Sequence, residues 1–343
     1  MPEFTPGRTG TDEVLFARDG VLGRVLLNRP RAINALTRQM VAAMREQLTD
    51  WAQDEAIGAV SIEGAGERGL CAGGDVRAVR EAHLAGGSGG IDFWAEEYVL
   101  DAQIAEYAKP VIAVMDGIVM GGGLGISMFG AARWTTERSQ IAMPETIIGF
   151  FPDVAATYLL SRAPGELGTH LALTGTTVTG ADAVHVGLAD CVVDSATVPD
   201  LLAAVAAGGP VEAVPAGATR GDAQIAAARA WVDECYVGYD PAVILERLAT
   251  HDHPDARTAA KAIRERSPLS VAVTLEALRR AADASSVREV LETDAVVGAH
   301  LLDRPDFAEG VRAQLVDKDR QPAWQHADLS DVAREEVLTV FAR

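Results

Sequence analysis

Glu145 and Asp153 stand eight residues apart in a stretch, residues 143–153, that is otherwise mostly apolar. Carboxylates in such a setting lose hydration, which favours their neutral forms and suits proton transfer. Glu145 follows Pro144, a favourable place for the first turn of a short helix, and Asp153 follows Pro152. Either could instead be an N-cap at the surface. A third carboxylate, Glu97, lies four residues after Phe93, and Leu100, Ile104 and Tyr107 continue that helical face. A carboxylate on an apolar stripe needs a partner or a task, so Glu97 is either half of a buried salt bridge or part of a site.

Two glycine-rich stretches could face these groups. In Cys71-Ala72-Gly73-Gly74-Asp75 the small residues let a backbone approach a ligand closely, although a tight turn closed by an Asp is the plainer reading. In Met120-Gly121-Gly122-Gly123-Leu124-Gly125 three successive glycines leave backbone N–H groups uncovered. If a helix starts there, those groups can bind an anion or an oxyanion. A dinucleotide site is the rival. Glu145 has the right spacing from Gly125, but it follows Met143-Pro144, which does not read as the end of a Rossmann strand. The close histidine pair of His251-Asp252-His253 falls in a loop without further ligands, so no metal site is expected.

The elements that must position these groups read as alternating. Residues 21–28, 57–62 and 111–115 are strand-like, and residues 40–51 and 92–107 have helical spacing, which argues for an α/β fold. Residues 203–222 are small and rich in Gly and Pro, as in a linker. Beyond them 222–231, 272–282 and 287–302 read as helices. The expected organisation is an α/β core at 12–195 and a helical region at 222–343.

With 30 basic and 49 acidic side chains, the net charge is −19, which disfavours nucleic acid and anionic membranes as partners. The most apolar stretch, 111–129, is broken by Asp116 and glycines and does not read as a membrane span. The first residues show no apolar signal segment. Cys71, Cys191 and Cys235 are odd in number and far apart, so they read as reduced thiols of a cytoplasmic protein.

Taken together these stretches resemble the crotonase (enoyl-CoA hydratase/isomerase) superfamily over about residues 15–343. The resemblance implies a crotonase-like ββα spiral core with a C-terminal helical region. It implies that Gly74 and Gly122 each give a backbone N–H to a thioester carbonyl oxygen, with Ala72, Gly73, Asp75 and Gly121 lining the substrate. The stretch Asn28-Arg29-Pro30-Arg31-Ala32-Ile33-Asn34-Ala35-Leu36 is similar to the motif that borders CoA. Arg31, Ala32 and Lys318 are therefore implied as CoA contacts.

Simple hydratases of the superfamily carry a glutamate where this chain has Gly125, whereas the second family glutamate is kept as Glu145. Phe151-Pro152-Asp153 instead resembles the 3-hydroxyisobutyryl-CoA hydrolase branch, as do Glu96-Glu97-Tyr98, the tail from Phe307 to Ala313, Asp317-Lys318-Asp319 and Pro322-Ala323-Trp324. Val154-Ala155-Ala156 departs from that branch's Val-Gly-Gly and bears on the shape of the acyl pocket.

The branch implies hydrolysis of 3-hydroxyisobutyryl-CoA, a step of valine catabolism, with no cofactor beyond the CoA of the substrate. Glu145 is then nucleophile or general base, Asp153 orients the substrate hydroxyl or assists the leaving sulfur, and Glu97 contacts the substrate. An enoyl-CoA hydratase/isomerase and a non-catalytic CoA-binding subunit are the alternatives. Superfamily members often form trimers or dimers of trimers, so a homo-oligomer is expected unless the C-terminal helices cover that surface.

Overall fold

The structure is a computed structural model and describes residues 2–342. It contains the strands β1 (Thr5–Pro6), β2 (Val14–Asp19), β3 (Leu22–Leu27), β4 (Ala59–Gly64), β5 (Val111–Met115), β6 (Ile118–Met120), β7 (Ala132–Thr136), β8 (Gln140–Ala142), β9 (Val178–Thr179) and β10 (Cys191–Val193). Seven of these form one sheet in the order β1-β2-β3-β4-β5-β7-β10, and β6-β8-β9 form a small second sheet. In the seven-stranded sheet the first two pairings are antiparallel and those from β3 through β4, β5 and β7 to β10 are parallel, whereas β8 and β9 pair antiparallel in the small sheet. β5 is buried at every position, as the unbroken run Val-Ile-Ala-Val-Met requires of a strand covered on both faces.

The chain divides into two compact units. The first, residues 1–75, 96–141 and 178–223, holds the large sheet. Its helix Arg38–Gln53 buries Met40, Val41, Met44, Leu48 and Trp51 and starts at Thr37, whose hydroxyl accepts from Met40 N at 3.2 Å. The second, residues 76–95, 142–177 and 224–343, is mainly helical. Four of its helices, Pro241–Thr250, Pro254–Arg264, Pro268–Asp283 and Pro305–Val311, open on proline, where the missing N–H costs nothing.

Two expectations need correction. Residues 203–222 are not a free linker. Their first part completes the helix Val198–Ala206, Thr219 bridges to Val192, and Trp134 Nε1 donates to Glu212 O at 3.1 Å. Residues 222–231 are not one α-helix either: a 3₁₀ turn, Gln224–Ala228, precedes the helix Arg229–Tyr236. Among the described residues, no helix is long and apolar enough to cross a membrane.

Candidate active site

In the first unit the two glycine loops are neighbours. The 71–75 loop is held on one side by residues 33–36, through Ala72 N to Ile33 O at 2.9 Å, Leu36 N to Gly73 O at 2.8 Å and Asp75 N to Leu36 O at 2.9 Å. On its other side Cys71 N donates to Ile118 O at 3.1 Å and Met120 N to Cys71 O at 3.0 Å. A Cβ on Gly73 would lie 3.6 Å from Gly122 N, and one on Gly122 would lie 3.3 Å from Gly74 N. Gly121 has φ +51 and leads into a single helical turn, Gly122–Gly125. The backbones of Gly74 and Gly122 therefore lie close together, and a side chain at Gly122 would be tight against Gly74 N.

Glu97 belongs to this assembly. It is 2% exposed on the helix Gly89–Ala105, and a Cβ on Gly122 would overlap its Oε1. Glu97, on the apolar stripe of its helix, is thus a buried carboxylate beside the glycine loops. Asp75 is engaged by the Arg29 guanidinium at 3.1 Å, and Arg29 also meets Glu13 at 3.1 Å. Buried Asn34 pins the preceding loop, donating to Ala65 O and Gly69 O at 3.1 and 3.0 Å and accepting from Arg29 N at 2.9 Å. Arg31 and Ala32, in the exposed turn Pro30–Ala32, project next to this pinned stretch. Ala72 is exposed as well. Burial pushes the Cys71 thiol up to about 12, against the hydrogen bond to Gly73, so it stays protonated and is no nucleophile.

In the second unit Glu145 is 8% exposed and begins the 3₁₀ turn Glu145–Ile148. The turn ends at Gly149, φ +73, where a Cβ would overlap the backbone of Asp306. Ser267 N donates to Thr146 O at 3.3 Å. The rings of Trp94 and Phe150 stack at 4.4 Å, and Phe307 meets both edge-on at 5.6 and 5.7 Å. This aromatic cluster supports the segment between Glu145 and Asp153. Asp153 is 5% exposed, so neither carboxylate is a surface cap. After it Val154 and Ala155 both adopt positive φ, +51 and +57, at a cost on the order of 1–2 kcal/mol each for residues with a Cβ. Lys318 is exposed, at φ +59, between Asp317 and Asp319, both of which are held by Arg312.

A family model described as enoyl-CoA hydratase/isomerase matches residues 22–341. The chain belongs to that family. Among curated relatives, the Rattus norvegicus protein named "3-hydroxyisobutyryl-CoA hydrolase, mitochondrial" is 39% identical, over 97% of this chain and 89% of its own length. The Homo sapiens protein of the same name is 36% identical, over 96% and 88%. Among solved structures, a carnitinyl-CoA dehydratase from Mycobacterium thermoresistibile is 45% identical with a TM-score of 0.93, over 97% of each chain. An enoyl-CoA hydratase from Rhodobacter sphaeroides 2.4.1 is 39% identical with a TM-score of 0.90, over 96% and 97%.

Gly125 is buried and has no side chain to offer. Several buried carboxylates escaped the sequence reading: Asp101, Asp294 and Asp306 are each at most 2% exposed. A signal existed for Asp294. It lies four residues after Val290 and three before Val297, on the buried stripe of the helix Val287–Leu302. Like Glu97, it is a carboxylate on an apolar stripe. His253 serves as a cap, its Nδ1 accepting from Asp255 N at 3.2 Å.

Proposed function

We propose that this enoyl-CoA hydratase/isomerase family member hydrolyses acyl-CoA thioesters, converting 3-hydroxyisobutyryl-CoA and water to 3-hydroxyisobutyrate and CoA. One observation carries the reading: Glu145 and Asp153 are both buried in one apolar segment, while Gly125 leaves the glycine run without a carboxylate. Addition of water across a double bond usually employs two glutamates, one of which that position would supply. The names of the curated relatives support the same substrate.

In this reading the N–H groups of Gly74 and Gly122 hold the thioester oxygen as negative charge develops on it. Glu145 either adds to the carbonyl carbon, giving an anhydride that water opens, or removes a proton from the water that adds. The carbon–sulfur bond breaks as the anhydride forms in the first route and after water has added in the second; in both the departing sulfur takes a proton. Asp153 assists that transfer or orients the substrate hydroxyl, which Glu97 also contacts. Gly73, Ala72, Asp75 and Gly121 shape the loops around the acyl group, and Arg31, Ala32 and Lys318 line the CoA moiety. The chemistry calls for no cofactor beyond the CoA that the substrate carries. The buried free thiols of Cys71, Cys191 and Cys235 favour a reducing compartment such as the cytoplasm, although the animal relatives are named mitochondrial. A step in valine degradation and a homo-oligomeric state go with this reading.

The two solved relatives, named as a carnitinyl-CoA dehydratase and an enoyl-CoA hydratase, favour a second reading, hydration or dehydration of an enoyl-CoA. Incubation with 3-hydroxyisobutyryl-CoA and, separately, crotonyl-CoA distinguishes them. Thiol release from the first, with no loss of the enoyl band of the second, is expected. Loss of the enoyl band without thiol release would select the second reading. Glu145→Gln should lower kcat for thiol release by roughly 10²–10⁴. In single turnover in ¹⁸O-water, label found in Glu145 as well as product marks the anhydride route.

A further inference from the structure

The turn that follows Asp153 is unusual in conformation and is tied to a helix distant in sequence. Val154 and Ala155, both fully buried, take left-handed φ values in succession. Ala155 N donates to Asp294 Oδ2 at 2.8 Å, reaching across 139 residues, while Ala156 N donates to Asp153 O at 2.8 Å. Asp294 is 1% exposed. Behind it lies a cavity of about 230 Å³, lined by Thr157, Arg280, Glu289, Thr293 and Asp294 among others. Arg280 is bound to Glu276 at 2.7 Å. Thr157 Oγ1, on the first helical turn after Ala155, is buried with no hydrogen-bond partner among the described residues.

We propose that Asp294 is a positioning residue for Asp153: its carboxyl group holds the left-handed turn at Val154 and Ala155, and so fixes how Asp153 is presented. The proposal rests on the hydrolase reading for the task of Asp153. Burial pushes the Asp294 carboxyl well above the usual carboxylate range, the Ala155 N–H opposes that shift, and the charge of Asp153 adds to it. A neutral acid accepts from Ala155 through one oxygen and closely matches the shape of an asparagine amide. Glycine adopts left-handed φ about as readily as right-handed, so it would make the clamp unnecessary at position 155.

Four proteins test this: Asp294→Ala, Asp294→Asn, Ala155→Gly, and Ala155→Gly with Asp294→Ala. Asp294→Ala should lower kcat for thiol release at least tenfold with KM within about threefold. Asp294→Asn should stay within about threefold of the parent in kcat, and the double variant should recover most of what Asp294→Ala loses. Amide hydrogen exchange over residues 150–160 should quicken in Asp294→Ala and not in Asp294→Asn. That readout is independent of turnover. A parent protein that releases no thiol therefore sinks the hydrolase reading, while exchange still decides the clamp. Unchanged exchange and kcat in Asp294→Ala would overturn the proposal. Should that variant fail to fold, the double variant decides. Turnover near that of Ala155→Gly supports the clamp; a hundredfold deficit there overturns it, because the carboxyl would be acting on the reaction and not on the turn.

Discussion

Gly122 and Gly123 are adjacent and both buried, yet a Cβ would meet different things at each. At Gly122 it would displace the end of the Glu97 side chain and crowd Gly74 N at 3.3 Å. At Gly123 it would lie 2.5 Å from Cys71 O, a backbone atom tied into the neighbouring loop by Met120 N. A side-chain end can move; a hydrogen-bonded backbone cannot without breaking its partners. Gly122→Ala should therefore keep the fold, with the thermal midpoint within a few degrees of the parent, and lose roughly 10²–10³ in kcat, as expected when one oxyanion donor is blocked. Gly123→Ala should lower the thermal midpoint and the yield of folded protein first. Thermal melts and thiol-release assays on the two variants check this, and equal kcat for parent and Gly122→Ala would remove Gly122 from the oxyanion role. The glycine run itself was visible in the sequence. Which glycine faces Glu97 was not, because that depends on a helix reached twenty-five residues earlier in the chain.

Elements with one dominant pattern were legible, and elements held by distant partners were not. β5 falls at 111–115 and the helix Val287–Leu302 at 287–302, as their apolar run and periodic stripe require. The division into compact units was not readable as a sequence order. Residues 76–95 and 142–177 group with residues 224–343 through pairs separated by many positions, such as Arg80 Nε donating to Ala308 O at 2.7 Å. Ser267 shows how such a joint works. Its hydroxyl accepts from Ser270 N at 3.2 Å, capping the helix Pro268–Asp283, and donates to buried Asp306 Oδ2 at 2.6 Å. Gln325 N satisfies the other Asp306 oxygen at 2.7 Å. Ser267→Ala removes a cap and leaves one oxygen of a buried carboxylate short of a donor. It should cost about 2–3 kcal/mol, measured by urea unfolding. A loss below about 0.5 kcal/mol would mean that water or another donor already serves Asp306.

At the scale of the whole molecule, two acid responses oppose each other. The net charge of −19 shrinks in magnitude as carboxylates take up protons, which relieves self-repulsion and alone would make mild acid stabilising. His170 acts the other way. It is packed against Trp231 and Tyr236, with Nδ1 and the Tyr236 hydroxyl 2.8 Å apart, and burial pushes it down to about 4. Between that value and the ordinary 6.5 the unfolded chain binds the proton and the folded chain does not, so stability falls as pH falls. The contribution is fully present above about pH 6.5 and is lost progressively toward pH 4. Between pH 7 and pH 5 the linkage amounts to about 2 kcal/mol. His170→Gln keeps a hydrogen-bonding group near Tyr236 and cannot titrate. Urea unfolding at both pH values should show the parent losing about 2 kcal/mol more than the variant over that interval. Equal losses in the two proteins would mean that His170 is hydrated or already protonated in the folded state. A parent that gains stability by as much as the variant would leave charge relief as the only term at work.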